Sequence, residues 1–206
     1  MSVTSTLDPR RILNRSWGYL SLMHLLGADA ATRRWVAEVL RPRPGQRLLD
    51  IGCGPGRLCD FLPDVTYIGI DHNAAYVNRA RSRYPGRRFE QLDLEGDYSA
   101  FPDRDFDLIV AFALLHHLSD AAATRLFAFC RERLRDGGRL VTLDNVYWPG
   151  QHPLARFLIS LDRGRFVRSA SGYDSLARSA FTNIQTTRYE NLLRVPYSHI
   201  GLECQK

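Results

Sequence analysis

Lysine is almost missing from this chain: Lys206 is the only one among 28 basic residues, so the formal charge of +6 and the pI near 9.4 rest on arginine. The arginines are dispersed, as in Arg79, Arg81 and Arg83 or Arg131, Arg133 and Arg135. Spacing of i, i+2 splays side chains around a helix axis, which favours a solvated surface over a nucleic-acid track. Long apolar runs are lacking too. The longest, Leu108 to Leu115, falls far short of the roughly 20 residues of a membrane span. The opening residues MSVTSTLDPRR have no apolar centre of the secretory kind, so the expected protein is cytoplasmic, with no membrane partner. Cysteine is sparse and unpaired in pattern. Cys53, Cys59, Cys130 and Cys204 form no Cys-x-x-Cys and have no histidine at zinc-finger spacing, so they read as free thiols of a reducing compartment, and no metal site is expected. Internal repeats and low-complexity tracts are absent.

What is present fits one domain: 206 residues, 45% of them hydrophobic, suffice for one core. The single linker-like stretch is Arg41-Pro42-Arg43-Pro44-Gly45. Before it, Asp29 is placed to cap a helix with apolar Trp35, Val36, Val39 and Leu40, and Leu20, Met23 and Leu26 mark an earlier one. Residues 1–45 are therefore expected as cover helices. After it, short apolar runs alternate with helical patterns. The strand candidates are Arg47–Ile51, Thr66–Ile70, Arg88–Leu92, Asp107–Phe112 and Arg139–Leu143. That alternation predicts an α/β fold with a parallel sheet and helices on both faces. A helix carrying Leu126, Phe127, Cys130 and Leu134 is expected to end at Gly137-Gly138 in a left-handed cap. Residues 46–144 form the predicted core and 145–183 a lid over it. Ile184–Glu190 and Ser198–Cys204, joined near Pro196-Tyr197, form a hairpin in the final stretch, 184–206.

The strongest local signal is LLDIGCGPG, residues 48–56, a buried strand running into a glycine turn. Glycine there lets backbone approach a ligand and adopt positive φ. Gly56 sits one residue too early for the dinucleotide spacing, and Asp50 stands just before the turn. A carboxylate at that place repels a pyrophosphate but suits the ammonium and sulfonium charges of S-adenosylmethionine. Asp71, 21 residues after Asp50, stands where a ribose is gripped through its hydroxyls, or else caps the next helix. Asp93-Leu94, after the third strand, is placed for the adenine edge, or is an ordinary loop.

LLDIGCGPGR, IGIDHN, the Leu92-Asp93-Leu94 step, FDLIVAFALLHHLSD and LRDGGRLVTLDN together resemble the successive motifs of class I, Rossmann-like S-adenosylmethionine-dependent methyltransferases of the small-molecule type, over about residues 46–145. The resemblance implies an open, mostly parallel seven-stranded sheet with an antiparallel last strand. It also implies that Gly52 and Gly54 line the methionine part of the cofactor, that Asp50 supports its amino group directly or through water, and that Asp71 holds the ribose. By the same likeness His72 packs beside the adenine, Phe112 offers backbone to the methionine amine, and Tyr19 closes over the cofactor.

Methyl transfer from a sulfonium needs alignment and exclusion of water more than covalent chemistry. A hydroxyl acceptor also needs a base, for which His116, His117 and Asp144 are the candidates at the strand tips; the alternative is that both histidines pack and cap. In the 145–183 stretch, His152, Arg163, Arg165 and Arg168 either bind a carboxylate or phosphate of a small-molecule acceptor or knit the lid internally. The competing functions are an RNA methyltransferase, a non-catalytic cofactor-binding partner in a heteromeric enzyme, and a nicotinamide oxidoreductase. Against the first, the fourth strand tip reads Phe112-Ala113-Leu114-Leu115, without the Pro-Pro-aromatic cluster of amino-directed base methylation.

Overall fold

The computed structural model of the protein describes residues 27–96, 98, 101–162, 164–190 and 192–206. Helix α1 (Ala28–Trp35) runs through a π-helical turn, Val36–Leu40, into the proline-rich linker. Then come β1 (Arg47–Ile51), β2 (Thr66–Asp71), α2 (Ala74–Arg83), β3 (Arg88–Gln91) and β4 (Phe106–Phe112). Helix α3 (Asp120–Arg133), β5 (Leu134–Tyr147), α4 (Pro153–Ser160), the two-residue β6 (Arg168–Ser169), α5 (Ala170–Arg178), β7 (Asn183–Tyr189) and β8 (His199–Gln205) complete the order.

Seven strands lie in the order β3-β2-β1-β4-β5-β8-β7, with β6 added beside the end of β5. The pairs from β3 to β5 are parallel, and β8 runs antiparallel to both β5 and β7. The expected sheet with a reversed last strand is thus the observed one. Alternation along the strands divides the core. Leu49, Ile51, Ile109, Ala111 and Leu140 face α3 and α5. Leu48, Tyr67, Phe89, Leu108, Val110 and Val141 face α1, its π turn and α2. The strand order switches direction between β1 and β4, and ligands of open α/β sheets bind at the carboxyl ends of strands around such a switch.

Three details differ from expectation. Helix α3 stops at Arg133, not at Gly137-Gly138, because Leu134 is already extended and pairs with Phe106. Gly138 is instead needed for close packing, since a Cβ there would lie 2.7 Å from the Phe106 carbonyl oxygen. Next, the proposed lid is partly core: Tyr173 and Ala177, one helical turn apart on α5, and Phe181 just beyond it are buried in the same cluster as α3, which leaves α4 and the loop to β6 at the strand tips. Finally, the β7–β8 connection is longer than a tight turn, and its Leu192 and Leu193 reach the ligand cavity. At α1, Gly27 stands at the cap position, and Asp29 lies in the first turn, ion-paired with Arg57. No helix of the described residues is long and apolar enough to cross a membrane.

Candidate active site

A cavity of about 800 Å³ opens at the carboxyl ends of the parallel strands, between the glycine turn and the first described helix. At one end the chain leaves β1 through Gly52 (φ +74°), Gly54 (φ +53°) and Gly56 (φ +78°). A Cβ at Gly52 would stand 2.9 Å from Leu114 Cδ1, whereas one at Gly54 would meet nothing within 4 Å. Backbone at Gly54 therefore borders open space that a ligand can enter. Asp71, at the tip of β2, is 5% exposed and lines the cavity. Its Oδ2 accepts from the Gly54 amide at 2.8 Å, and Oδ1 accepts from the Asn73 amide at 2.8 Å. A carboxylate has about four acceptor sites. His72 Nδ1 also lies 3.5 Å from Oδ1, and the acceptor capacity left over can take hydroxyls from the cavity. At the β4 tip, Ala113 takes φ +53°, a left-handed conformation uncommon for a residue with a side chain, with its amide donating to Leu143 O at 2.7 Å.

The other end of the cavity is built over β4, β5 and β8 and is rich in histidine. His116 is 2% exposed. Its Nδ1 lies 2.8 Å from Asp144 Oδ1 and its Nε2 lies 3.5 Å from Asp162 Oδ1. Burial pulls the imidazole toward the neutral form, but hydrogen bonds and charge from the two carboxylates outweigh it and raise its pKa to about 9. Asp162, after α4, also accepts from Asn145 Nδ2 at 3.0 Å and from the Gly164 amide at 2.9 Å. The His117 ring stacks obliquely on His116, centroids 4.2 Å apart, on the open side. Desolvation and the neighbouring His116 charge hold it below the ordinary histidine value. Opposite stands His199, which pairs with Asn145 across the β5–β8 ladder. Burial drives its pKa to about 4, and its buried Nδ1 has no hydrogen-bond partner among the described residues. His116, His117 and Asp162 each bring one ligand atom within 4.8 Å of the others, a spacing that fits a metal ion. The cysteine spacings that argued against a metal do not touch this cluster, whose members meet only in the fold.

The sequence matches the methyltransferase domain family over residues 48–138. It is 30% identical to a trans-aconitate 2-methyltransferase of Methylobacterium nodulans across 184 residues, 80% of this chain and 69% of that one. The chain belongs to the class I S-adenosylmethionine-dependent methyltransferases. A second trans-aconitate 2-methyltransferase, from Deinococcus radiodurans, is 32% identical over 71% of this chain and 55% of its own. A TehB-like methyltransferase from Corynebacterium glutamicum shares the fold at a TM-score of 0.68 and 18% identity, covering 97% of this chain and all of that one. The chain spans about a third to two thirds of the length of the curated relatives it matches.

Of the residues proposed from the sequence, Gly52, Gly54, Asp71, His72, Asp93, Leu94, Phe112, His116 and His117 all line this same cavity. Asp50 and Asp144 do not. Asp50 is 2% exposed and accepts from the Tyr67 hydroxyl at 2.7 Å, on the sheet face covered by α1 and α2. Strand alternation explains this: with Leu49 and Ile51 on the opposite face, Asp50 follows Leu48. Asp144 is spent on His116. Of the two readings offered for the arginines of the 145–183 stretch, anion binding or an internal knot, Arg168 takes the second. Arg168 donates to the Leu115 and Leu118 carbonyls and to Asp120 Oδ1, at 2.6–2.9 Å, and so ties the β6 segment to the His116 turn. Arg165 is exposed and lies off the cavity, and His152 caps α4 by accepting from the Leu154 amide. Tyr19 and Arg163 lie outside the described residues. Asn145, Asp162 and His199 were missed by the sequence reading. Asn145 follows Asp144 at a strand tip and Asp162 opens an Asp-Arg-Gly turn, which were the signals available there.

Proposed function

We propose that this chain transfers the methyl group of S-adenosylmethionine to a small molecule held at the histidine end of the same cavity. The observation that carries the reading is continuity: one space runs from the glycine turn and Asp71 to His116, His117 and His199. Its volume of about 800 Å³ lies at the upper end of the range for small-molecule sites, which suits a cofactor and an acceptor side by side. Gly52 and Gly54 admit the methionine part, the free acceptor sites of Asp71 take ribose hydroxyls, and Asp93, Leu94 and His72 flank the adenine. Phe112, at the β4 tip, presents backbone to the methionine amine. Asp50, behind the turn, does not touch that ammonium and adds negative charge near it only once ionised, above about pH 7.

The reaction is a displacement at carbon with a neutral thioether leaving, so the chain's contribution is alignment and dryness. The apolar wall of Ala28, Ala31, Leu114, Leu143 and Leu193 keeps water from the methyl group. The acceptor is a metabolite carrying a hydroxyl or amine, and Asp144 orients His116 toward it. Two relatives carry trans-aconitate, a carboxylate, in their names, which supports an anionic acceptor here. The loop after α4 shapes this end of the pocket. Calorimetry with S-adenosylmethionine and its demethylated product, followed by incubation of labelled cofactor with a metabolite extract, tests the reading. Saturable binding of both sulfur ligands and a newly labelled metabolite are expected. No heat with either ligand, or saturable binding of NAD in their place, would sink it.

A further inference from the structure

We propose that His116, His117 and Asp162 form a binding site for a divalent transition ion of the zinc type, at the acceptor end of the cavity. Three independent features of the cluster support a built site over a chance meeting of side chains. The first is spacing. The 3.5 Å between His116 Nε2 and Asp162 Oδ1 is close to the roughly 3.4 Å edge of a tetrahedron with bonds of about 2.1 Å, and all three ligand atoms lie within 4.8 Å. The second is the outer layer. A histidine that binds metal through one nitrogen commonly donates the other N–H to a carboxylate, which fixes the tautomer. Asp144 Oδ1, at 2.8 Å from His116 Nδ1, stands in that place, and Asn145 and Gly164 fix the Asp162 carboxylate in turn. The third is openness. His117 is exposed to the cavity, so the cluster is closed on one side only, as in sites that keep coordination positions for a substrate.

Charge and donor type agree. Two carboxylates, those of Asp144 and Asp162, flank His116, a surrounding that suits a cation. Two imidazoles and one carboxylate suit zinc, iron or cobalt, whereas magnesium and calcium prefer an all-oxygen shell. His199 lines the same cavity but stands outside the group of ligand atoms that meet within 4.8 Å, so the three-residue set is the whole of the proposed site. The use of the ion rests on the methyl-transfer reading: it would grip an oxygen of the acceptor and point it toward the cofactor. The site itself does not depend on that reading.

The test uses untagged full-length protein stripped with a chelator, then titrated with cobalt(II) and followed by its visible absorption, with zinc competition and dialysis for stoichiometry. One equivalent should bind, giving the intense bands of low coordination number, and zinc should displace it. His117→Ala and Asp162→Asn, each checked for folding by circular dichroism, should weaken cobalt binding at least tenfold, while His152→Ala should match the wild type. Zinc should raise the melting temperature of wild type and not of the first two variants. Wild-type protein that takes up no stoichiometric cobalt overturns the proposal, as does folded His117→Ala binding cobalt with unchanged affinity. Calorimetry with S-adenosylmethionine on the same wild-type sample separates the two ideas: cofactor heat without metal uptake removes the metal site alone, and metal uptake without cofactor heat removes the methyltransferase reading alone.

Discussion

Asp71 and Asp50 show how one residue type performs two tasks through environment. Asp71 closes the glycine turn by accepting from the Gly54 and Asn73 amides and keeps acceptor capacity for a ligand. Replacing it with alanine should lower S-adenosylmethionine affinity at least tenfold, since a charged acceptor lost to a hydroxyl costs about 1.5–3 kcal/mol; calorimetry on the folded variant measures it. Asp50 answers to pH. Burial, against the Tyr67 hydrogen bond and with help from the nearby Asp71 charge, raises its pKa to about 7 from an ordinary 3.8. Between those values the folded chain holds a proton that the unfolded chain has released, so this residue makes stability fall as pH rises, by up to about 1.4 kcal/mol per pH unit. Asp50→Asn cannot titrate. Its melting temperature should therefore gain on the wild type as pH goes from about 5 to about 8; a constant difference would show that Asp50 is ionised throughout.

At the level of elements, the glycine turn and the β2 tip were legible because their residues are close in sequence and their chemistry follows from local backbone. The histidine end was half legible. His116 and His117 stand at the tip of a readable strand, but Asp162 comes from the loop after α4 and His199 from β8, and only the antiparallel β5–β8 register sets His199 beside Asn145. Arg168 was noticed for the right charge, yet its partners Leu115, Leu118 and Asp120 lie about fifty residues away. The helix α3 boundary failed for a related reason: Leu134 is claimed by the sheet before Gly137 can cap anything. Arg168 makes a test at this scale. Its side chain is 10% exposed, and Arg168→Ala would orphan two buried carbonyls at about 1–3 kcal/mol each. For a chain of this size the melting temperature should drop by about 4–24 °C, with Arg165→Ala, at an exposed site, nearly unchanged. An unaltered melting temperature for Arg168→Ala in a thermal scan would show that the β6 segment is held otherwise.

For the whole molecule, the basic pI invites a polyanion partner, and the distribution of charge argues the other way. Among the described residues eleven arginines are ion-paired with carboxylates of the same chain, including Arg41 and Arg139 with Glu203, Arg47 and Arg88 with Asp103, and Arg83 with Asp60. Exposed pairs of this kind add little to stability. They do set a carboxylate against many of the guanidinium groups, which lowers the surface potential that steers nucleic acid. Binding of single-stranded RNA weakens with salt in proportion to the phosphates neutralised, with a log–log slope of about −0.7 for each. A surface with many of its arginines already paired neutralises fewer. RNA retained on the protein at low salt should therefore be released before about 0.15 M, with a shallow slope, in filter-binding titrations against a mixed-sequence single strand. Saturable binding that persists at that salt, with a slope demanding six or more phosphates, would reveal a basic track. It would also return an RNA acceptor to consideration, with the same cavity then serving an extruded nucleotide in place of a free metabolite.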